Sequence, residues 1–83
     1  MPLYMDIHTH VDGATQEGVA EAHKKDLETQ GKYGVNYKKY WLDENTGTIF
    51  CLVEAPDKET AARVHREAHG LVAEEIHEVS ENS

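Results

Sequence analysis

The sequence predicts a single α+β domain with the ferredoxin-like arrangement βαββαβ. Three observations predict this fold: hydrophobic alternation near the beginning of the chain, two helical stripes that each follow a capping residue, and a hairpin between the stripes. Such units close into a four-stranded antiparallel sheet with both helices on one face. With 83 residues, we expect one domain that covers residues 1–83.

The first strand and the first helix are predicted within residues 3 to 29. From Leu3 to His10 apolar and polar residues alternate, which is typical of a strand with one buried face. Thr15 caps the helix, which extends to about Thr29. We expect the inner side of this helix to carry Val19, Ala20, His23 and Leu27.

A hairpin and a second helix follow. The segments Val35–Asp43 and Thr48–Glu54 are typical strands and flank a turn. Asp57 caps the second helix, and Gly70 marks its end. The inner side of this helix carries Ala61, Val64 and Ala68. The last strand, Ile76–Val79, is short enough to lie at an edge of the sheet.

One face of the predicted sheet has no helix to cover it. We expect this face to present Tyr4, Trp41, Phe50 and Leu52, which is more apolar surface than a small monomer ordinarily exposes. A two-fold homodimer that packs sheet against sheet would bury this surface. Asp6 and His8 share a face with Tyr4 and would then lie in or beside the interface.

Composition argues against several functional classes. Sixteen acidic residues and eight basic ones give a formal net charge of −8, and the basic residues do not form the patch that nucleic-acid binding requires. No apolar run is long enough to cross a bilayer and no signal-peptide pattern is present, so we expect a cytoplasmic protein without nucleic-acid or membrane partners. Cys51 is the single cysteine and is interpreted as a buried core residue.

Two histidine pairs are the candidate metal ligands. His65 and His69 are four residues apart on the second helix, so their rings share one side of it. His8 and His10 are two residues apart on the first strand and share a face of the sheet. Because His8 would point away from the helices, we expect two separate sites near the dimer interface rather than one shared site. The candidate ligands are Asp6, His8, His10, His65, His69 and Glu74.

The types of ligand narrow the choice of metal. Imidazole suits nickel, copper, zinc and iron, and a mixed set of imidazole, carboxylate and water favours six-coordinate nickel or cobalt over tetrahedral zinc. A single cysteine excludes a structural zinc site built from several thiolates. His23 is interpreted as a buried histidine within a helical stripe, and His77 as a surface residue.

Three segments of the chain resemble a family of short bacterial proteins with a domain of unknown function, some members of which are described as nickel-binding. The segments are Met1–His10, Lys32–Pro56 and Val64–Ile76, and the resemblance extends from Met1 to about Val79. This resemblance implies a ferredoxin-like dimer that holds nickel through histidines near its interface.

The main prediction is therefore a nickel-binding homodimer with a buffering, storage or sensing role. One alternative is a small dimeric α+β-barrel enzyme similar to monooxygenases, in which His8 or His23 acts with Tyr4 in a pocket. Another is an interaction module whose metal only joins the two subunits. The fold alone does not decide between these functions.

Overall fold

The computed structural model describes residues 1–82, and its helices and strands follow the predicted order. The strands are β1 (Leu3–His8), β2 (Asn36–Asp43), β3 (Thr48–Glu54) and β4 (Glu75–Val79), and the helices are α1 (Gln16–Thr29) and α2 (Lys58–Ala68). The strands form one antiparallel sheet in the order β2-β3-β1-β4, which confirms the ferredoxin-like topology. Within residues 1–82, no helix has the length and apolar character needed to span a membrane.

The capping residues begin both helices where the sequence predicts. The Thr15 hydroxyl accepts a hydrogen bond from the Gly18 amide at 3.1 Å, and the Asp57 carboxylate accepts one from the Thr60 amide at 2.7 Å. These side chains satisfy amides that have no partner within the first helical turn. At the other end of α2, Gly70 adopts the left-handed conformation with φ of 81° and terminates the helix.

The side chains of β1 face opposite to the prediction. Tyr4, Asp6 and His8 are buried on the side of the sheet that the helices cover. The expectation that Tyr4 lies on the uncovered face, with Asp6 and His8 at an interface there, is therefore wrong. Alternation shows which residues share a face but not which face the helices cover. In β1 the covered side is the more polar one, and hydrogen bonds compensate its buried charges.

The inner side of α1 also differs from the prediction. Val19 and Asp26 are buried, whereas Ala20 is exposed and Leu27 is 45% exposed. Val19 and Asp26 are seven residues apart, or about two helical turns, so they lie on the same side of α1. A buried carboxylate thus takes the place in the stripe that apolar patterning assigns to Leu27.

The hydrophobic core lies between the helices and the covered face of the sheet. Cys51 belongs to this core, as predicted, and lies opposite Asp6 in the β1–β3 register. The uncovered face carries Trp41, which is 49% exposed, and the neighbouring Phe50 and Leu52. The core residues are Tyr4, Val19, Val35, Tyr37, Ile49, Cys51, Val53, Ala55, Ala61 and Val64.

A candidate metal centre

A buried polar network joins β1, α1 and α2. His65 is 1% exposed and its ring lies between two carboxylates that are also buried, Asp6 from β1 and Asp26 from α1. His65 Nε2 is 2.9 Å from Asp6 Oδ2, and His65 Nδ1 is 2.8 Å from Asp26 Oδ1. Both nitrogens of one imidazole therefore contact carboxylate oxygens, one on each side of the ring.

The fold places these three residues together through their apolar neighbours. His65 directly follows Val64, which is fully buried, and Ala61 lies one turn earlier on the same side of α2. Asp26 lies on the buried side of α1, and α1 packs against α2. Asp6 is in the middle of β1, which pairs with β3 on one side and β4 on the other. The packing of the two helices on the sheet thus determines the geometry of the network.

Asp26, His65 and His69 place three donor atoms in a small triangle. Asp26 Oδ1 is 2.8 Å from His65 Nδ1 and 3.1 Å from His69 Nε2, and the two nitrogens are 3.1 Å apart. Neighbouring ligands of an octahedral ion with bonds of about 2.1 Å are about 3.0 Å apart. Two histidines and one carboxylate on one face of an octahedron form a recurring divalent metal site. We call these residues the Asp26–His65–His69 triad.

A second group lies on the other side of the His65 ring. The ligand atoms of Asp6, His8, Cys51 and His65 lie within 4.8 Å of one another. His8 Nε2 is 3.3 Å from Asp6 Oδ1 but lacks the alignment of a hydrogen bond, so within residues 1–82 no well-aligned hydrogen bond reaches this buried oxygen. Such an oxygen is costly to bury unless an ion or a donor accompanies it.

Tyr37 supports the network from β2. Its ring packs against His65 with the ring centroids 4.4 Å apart. Its hydroxyl lies 3.1 Å from Asp6 Oδ2 and 3.0 Å from the Ala61 carbonyl oxygen, either of which can accept its hydrogen. Burial, followed by the charges of Asp6 and Asp26, raises the pKa of Tyr37, so the hydroxyl stays protonated and acts as a donor.

The network is charged at neutral pH. Burial opposes the charge on His65, but hydrogen bonds to Asp26 and Asp6 outweigh it and raise the pKa of His65 to about 9. Burial also opposes the charges on Asp6 and Asp26, yet hydrogen bonds with His65 hold the pKa of both carboxyl groups below its usual range. A protonated imidazole therefore lies between two carboxylates. A divalent cation could replace that proton, and the imidazole and carboxylate donors suit a borderline metal such as nickel.

A small cavity reaches the triad from the α1 side. Its lining includes Ala22, His23, Tyr40 and Leu71 in addition to the triad. The volume open to the centre of a water-sized molecule is about 20 Å³, and one water needs about 10–15 Å³ by that measure. His8 and His23 also line this cavity together with Tyr40, whereas the enzyme alternative paired these histidines with Tyr4, which is a core residue outside the cavity lining.

The structure brings four of the six predicted ligands into one network. His8 faces the helices, and its ring centroid is 4.9 Å from that of His65. The reason given for two separate sites is therefore wrong, because the strand and helix residues meet at His65. The four residues are Asp6, His8, His65 and His69.

His10 and Glu74 lie elsewhere. β1 ends at His8, and His10 has a positive φ of 54°, so His10 does not continue the alternation of the strand. His10 and Glu74 line an exposed cleft at the end of β1, where Glu74 accepts a hydrogen bond from Thr9. Both residues lie outside the two donor groups found within residues 1–82.

Sequence reasoning missed Asp26, predicted correctly that His77 is exposed, and overstated the burial of His23. The signal for Asp26 is its spacing of seven residues from Val19, which places an acidic residue on the buried side of α1. His23 is partly buried, and its ring packs against that of Tyr40 at 4.8 Å. His77 is exposed and lies 3.1 Å from Glu75 Oε1 on the surface.

Comparison with known proteins places the chain among relatives of known structure. A family model described as "Nickel responsive protein SCO4226-like" matches residues 4–79. The chain is similar to the crystal structure of SCO4226 from Streptomyces coelicolor A3(2), with 38% sequence identity and a TM-score of 0.90. The alignment covers 98% of this chain and 99% of that chain. No curated protein sequence matches.

Proposed function

The chain belongs to the family of SCO4226-like nickel-responsive proteins, and we propose that it binds a nickel ion through the Asp26–His65–His69 triad. The observation that carries this proposal is the spacing of the three donor atoms, 2.8, 3.1 and 3.1 Å. That spacing matches one face of an octahedral ion with bonds of about 2.1 Å. The remaining ligands would be water, with which nickel completes six-coordination.

Asp6 acts on the metal through His65 in this proposal. When His65 Nδ1 holds the metal, its Nε2–H remains free to donate to Asp6 Oδ2 at 2.9 Å. A carboxylate on the second ring nitrogen fixes the tautomer and orientation of a ligating histidine. Tyr37 holds Asp6 in turn. Asp6, predicted from the sequence as a ligand, is thus proposed as a positioning residue for the triad metal.

The exposed cleft that His10 and Glu74 share is a candidate for a second, weaker nickel position. Both side chains are exposed. They must lose more side-chain conformational entropy on binding than buried residues that packing already orients. We therefore expect nickel to fill the buried triad first.

We propose a binding role without catalysis, as a buffer, store or sensor of nickel, in a homodimeric protein of the cytoplasm. The uncovered sheet face supports the dimer, because Trp41 is 49% exposed and lies with Leu3, Met5 and Leu52 around a surface cleft that Lys39 also lines. The occupant we propose is the same face of a second copy, which would bury both surfaces at once. The triad lies on the opposite side of the sheet, so each protomer would hold its own buried metal.

The proposal is tested by calorimetric titration of nickel into untagged protein. We compare the wild type with His69→Ala, which removes one triad donor, and with His77→Ala, which removes an exposed histidine outside the network. Loss of a group that tunes a metal site costs about 10–100-fold in affinity, so loss of a ligand in His69→Ala should cost at least that. Equal nickel affinity in wild type and His69→Ala would contradict the proposal.

A further inference from the structure

We propose that Asp6, His8, Cys51 and His65 form a second metal position, which takes a thiophilic divalent ion of the zinc class. This position lies on the opposite side of the His65 ring from the Asp26–His65–His69 triad and does not require nickel in the triad. It goes beyond the proposed function because it uses the sulfur of Cys51, which the triad does not contact.

The first observation is the convergence of four ligand atoms in a buried site. The atoms lie within 4.8 Å of one another, and each of the four residues is at least nine-tenths buried. In a tetrahedral site with bonds of about 2.0–2.3 Å, neighbouring ligand atoms are about 3.3–3.7 Å apart. A contraction of at most about 1 Å at the widest pair would therefore close the site around an ion.

The second observation is the unpartnered oxygen of Asp6. Asp6 is fully buried, and within residues 1–82 its Oδ1 accepts no well-aligned hydrogen bond, although His8 Nε2 lies 3.3 Å away. The other oxygen, Oδ2, already accepts a hydrogen bond from His65 Nε2 and lies near the Tyr37 hydroxyl. Oδ1 thus remains available to a cation on the side of His8 and Cys51. A cation bound between this oxygen and the Cys51 thiol would supply the partner that a buried carboxylate oxygen needs.

The register of β1 and β3 places the Cys51 sulfur beside Asp6. Cys51 on β3 pairs directly with Asp6 on β1, and His8 pairs with Ile49, so all three side chains occupy the covered face of neighbouring strands. Burial, together with the Asp6 carboxylate, raises the pKa of the Cys51 thiol, so this sulfur is protonated until a cation arrives. Cys51 was interpreted from the sequence as a plain core residue.

The charges balance when an ion binds. With the triad empty, the Cys51 Sγ–H proton and the His65 Nε2 proton leave to solvent while His65 Nδ1 keeps its proton, and Sγ and Nε2 each give an electron pair to the metal. One thiolate and the Asp6 carboxylate then neutralise the two positive charges of the ion, with His8 and His65 as neutral donors. A mixed set of sulfur, nitrogen and oxygen with four donors suits the zinc class, whereas the triad lacks sulfur.

The test is a titration with cobalt(II), whose thiolate bond gives a near-ultraviolet charge-transfer absorption that imidazole and carboxylate ligands do not give. We expect this absorption in wild type, its loss in Cys51→Ser, and its retention in His69→Ala. The Ser variant replaces sulfur by oxygen at nearly the same volume, and circular dichroism checks that it folds. If it does not fold, His8→Ala takes its place, with cobalt affinity at this position reduced at least about tenfold.

Three results would overturn the proposal: no cobalt binding, cobalt binding without the thiolate absorption, or loss of that absorption in His69→Ala. Nickel affinity that is normal in Cys51→Ser but reduced in His69→Ala would show that the two positions are separate. These measurements therefore test the second metal position and the nickel-binding triad separately.

Discussion

The stability of the metal-free protein should fall as pH rises from 6.5 to 8. The perturbation is the loss of the His65 proton, which lies between the carboxylates of Asp6 and Asp26 at 2.9 and 2.8 Å. In the folded protein the pKa of His65 is raised to about 9, whereas an unfolded chain has a histidine pKa of about 6.5. Between these values the folded state binds more protons than the unfolded state, so rising pH favours unfolding.

The size of the effect follows from that difference in pKa. A difference of about 2.5 pH units corresponds to about 3 kcal/mol of stability, since each unit is worth about 1.4 kcal/mol. This contribution is fully present below about pH 6.5 and is lost as pH passes through about 9. About half of it should disappear between pH 6.5 and 8. Burial raises the pKa of the Cys51 thiol as well, and its contribution is lost mainly above that range.

The assay is urea unfolding of chelator-treated protein at several pH values. His65→Gln removes this titrating group and should reduce the slope over this range, whereas His77→Gln, which changes an exposed histidine, should keep the wild-type slope. Wild-type stability that stays constant or increases from pH 6.5 to 8 would refute the charged network.

Three further predictions concern the metal, the network and the assembly. Nickel binding at pH 7.5 should release about one proton from His65. The binding enthalpy measured by calorimetry should therefore depend on the ionisation enthalpy of the buffer. A binding enthalpy that is the same in all buffers would contradict a ligand role for His65. Tyr37→Phe removes a hydroxyl near both Asp6 and the Ala61 carbonyl, and should lower the free energy of unfolding by about 1–3 kcal/mol in urea titrations. A loss below 0.5 kcal/mol would mean that the hydroxyl contributes little. In analytical ultracentrifugation the wild type should have twice the chain mass of 9.4 kDa. The variant Trp41→Lys, which changes the uncovered face, should have the mass of a single chain. A monomeric wild type would exclude the dimer.

The sequence predicted the fold because the residues that begin and end its helices act on neighbours close to them in the chain. Thr15 and Asp57 begin the helices through hydrogen bonds to nearby amides, and Gly70 ends α2 through its positive φ. The family resemblance is confirmed over residues 4–79. Helix caps and helix-ending glycines depend on neighbours within a few residues, so they can be identified directly in a sequence.

The sequence predicted the candidate site only in part, because the site depends on which faces of the strands and helices pack together. Alternation grouped Asp6 with His8 but could not show that this polar group faces the helices. Apolar patterning favoured Leu27 over Asp26, since the compensation for burying Asp26 comes from His65, 39 residues further along the chain. Burial of a charge against a distant partner is a tertiary property, and a local pattern does not predict it.

The most direct measurement of the nickel site is an anomalous difference map at the nickel absorption edge, from crystals of untagged protein loaded with one equivalent of nickel. The triad predicts a peak bonded to Asp26, to His65 Nδ1 and to His69 Nε2, with no change of fold. A peak confined to the exposed cleft of His10 and Glu74, with none at the triad, would contradict the account.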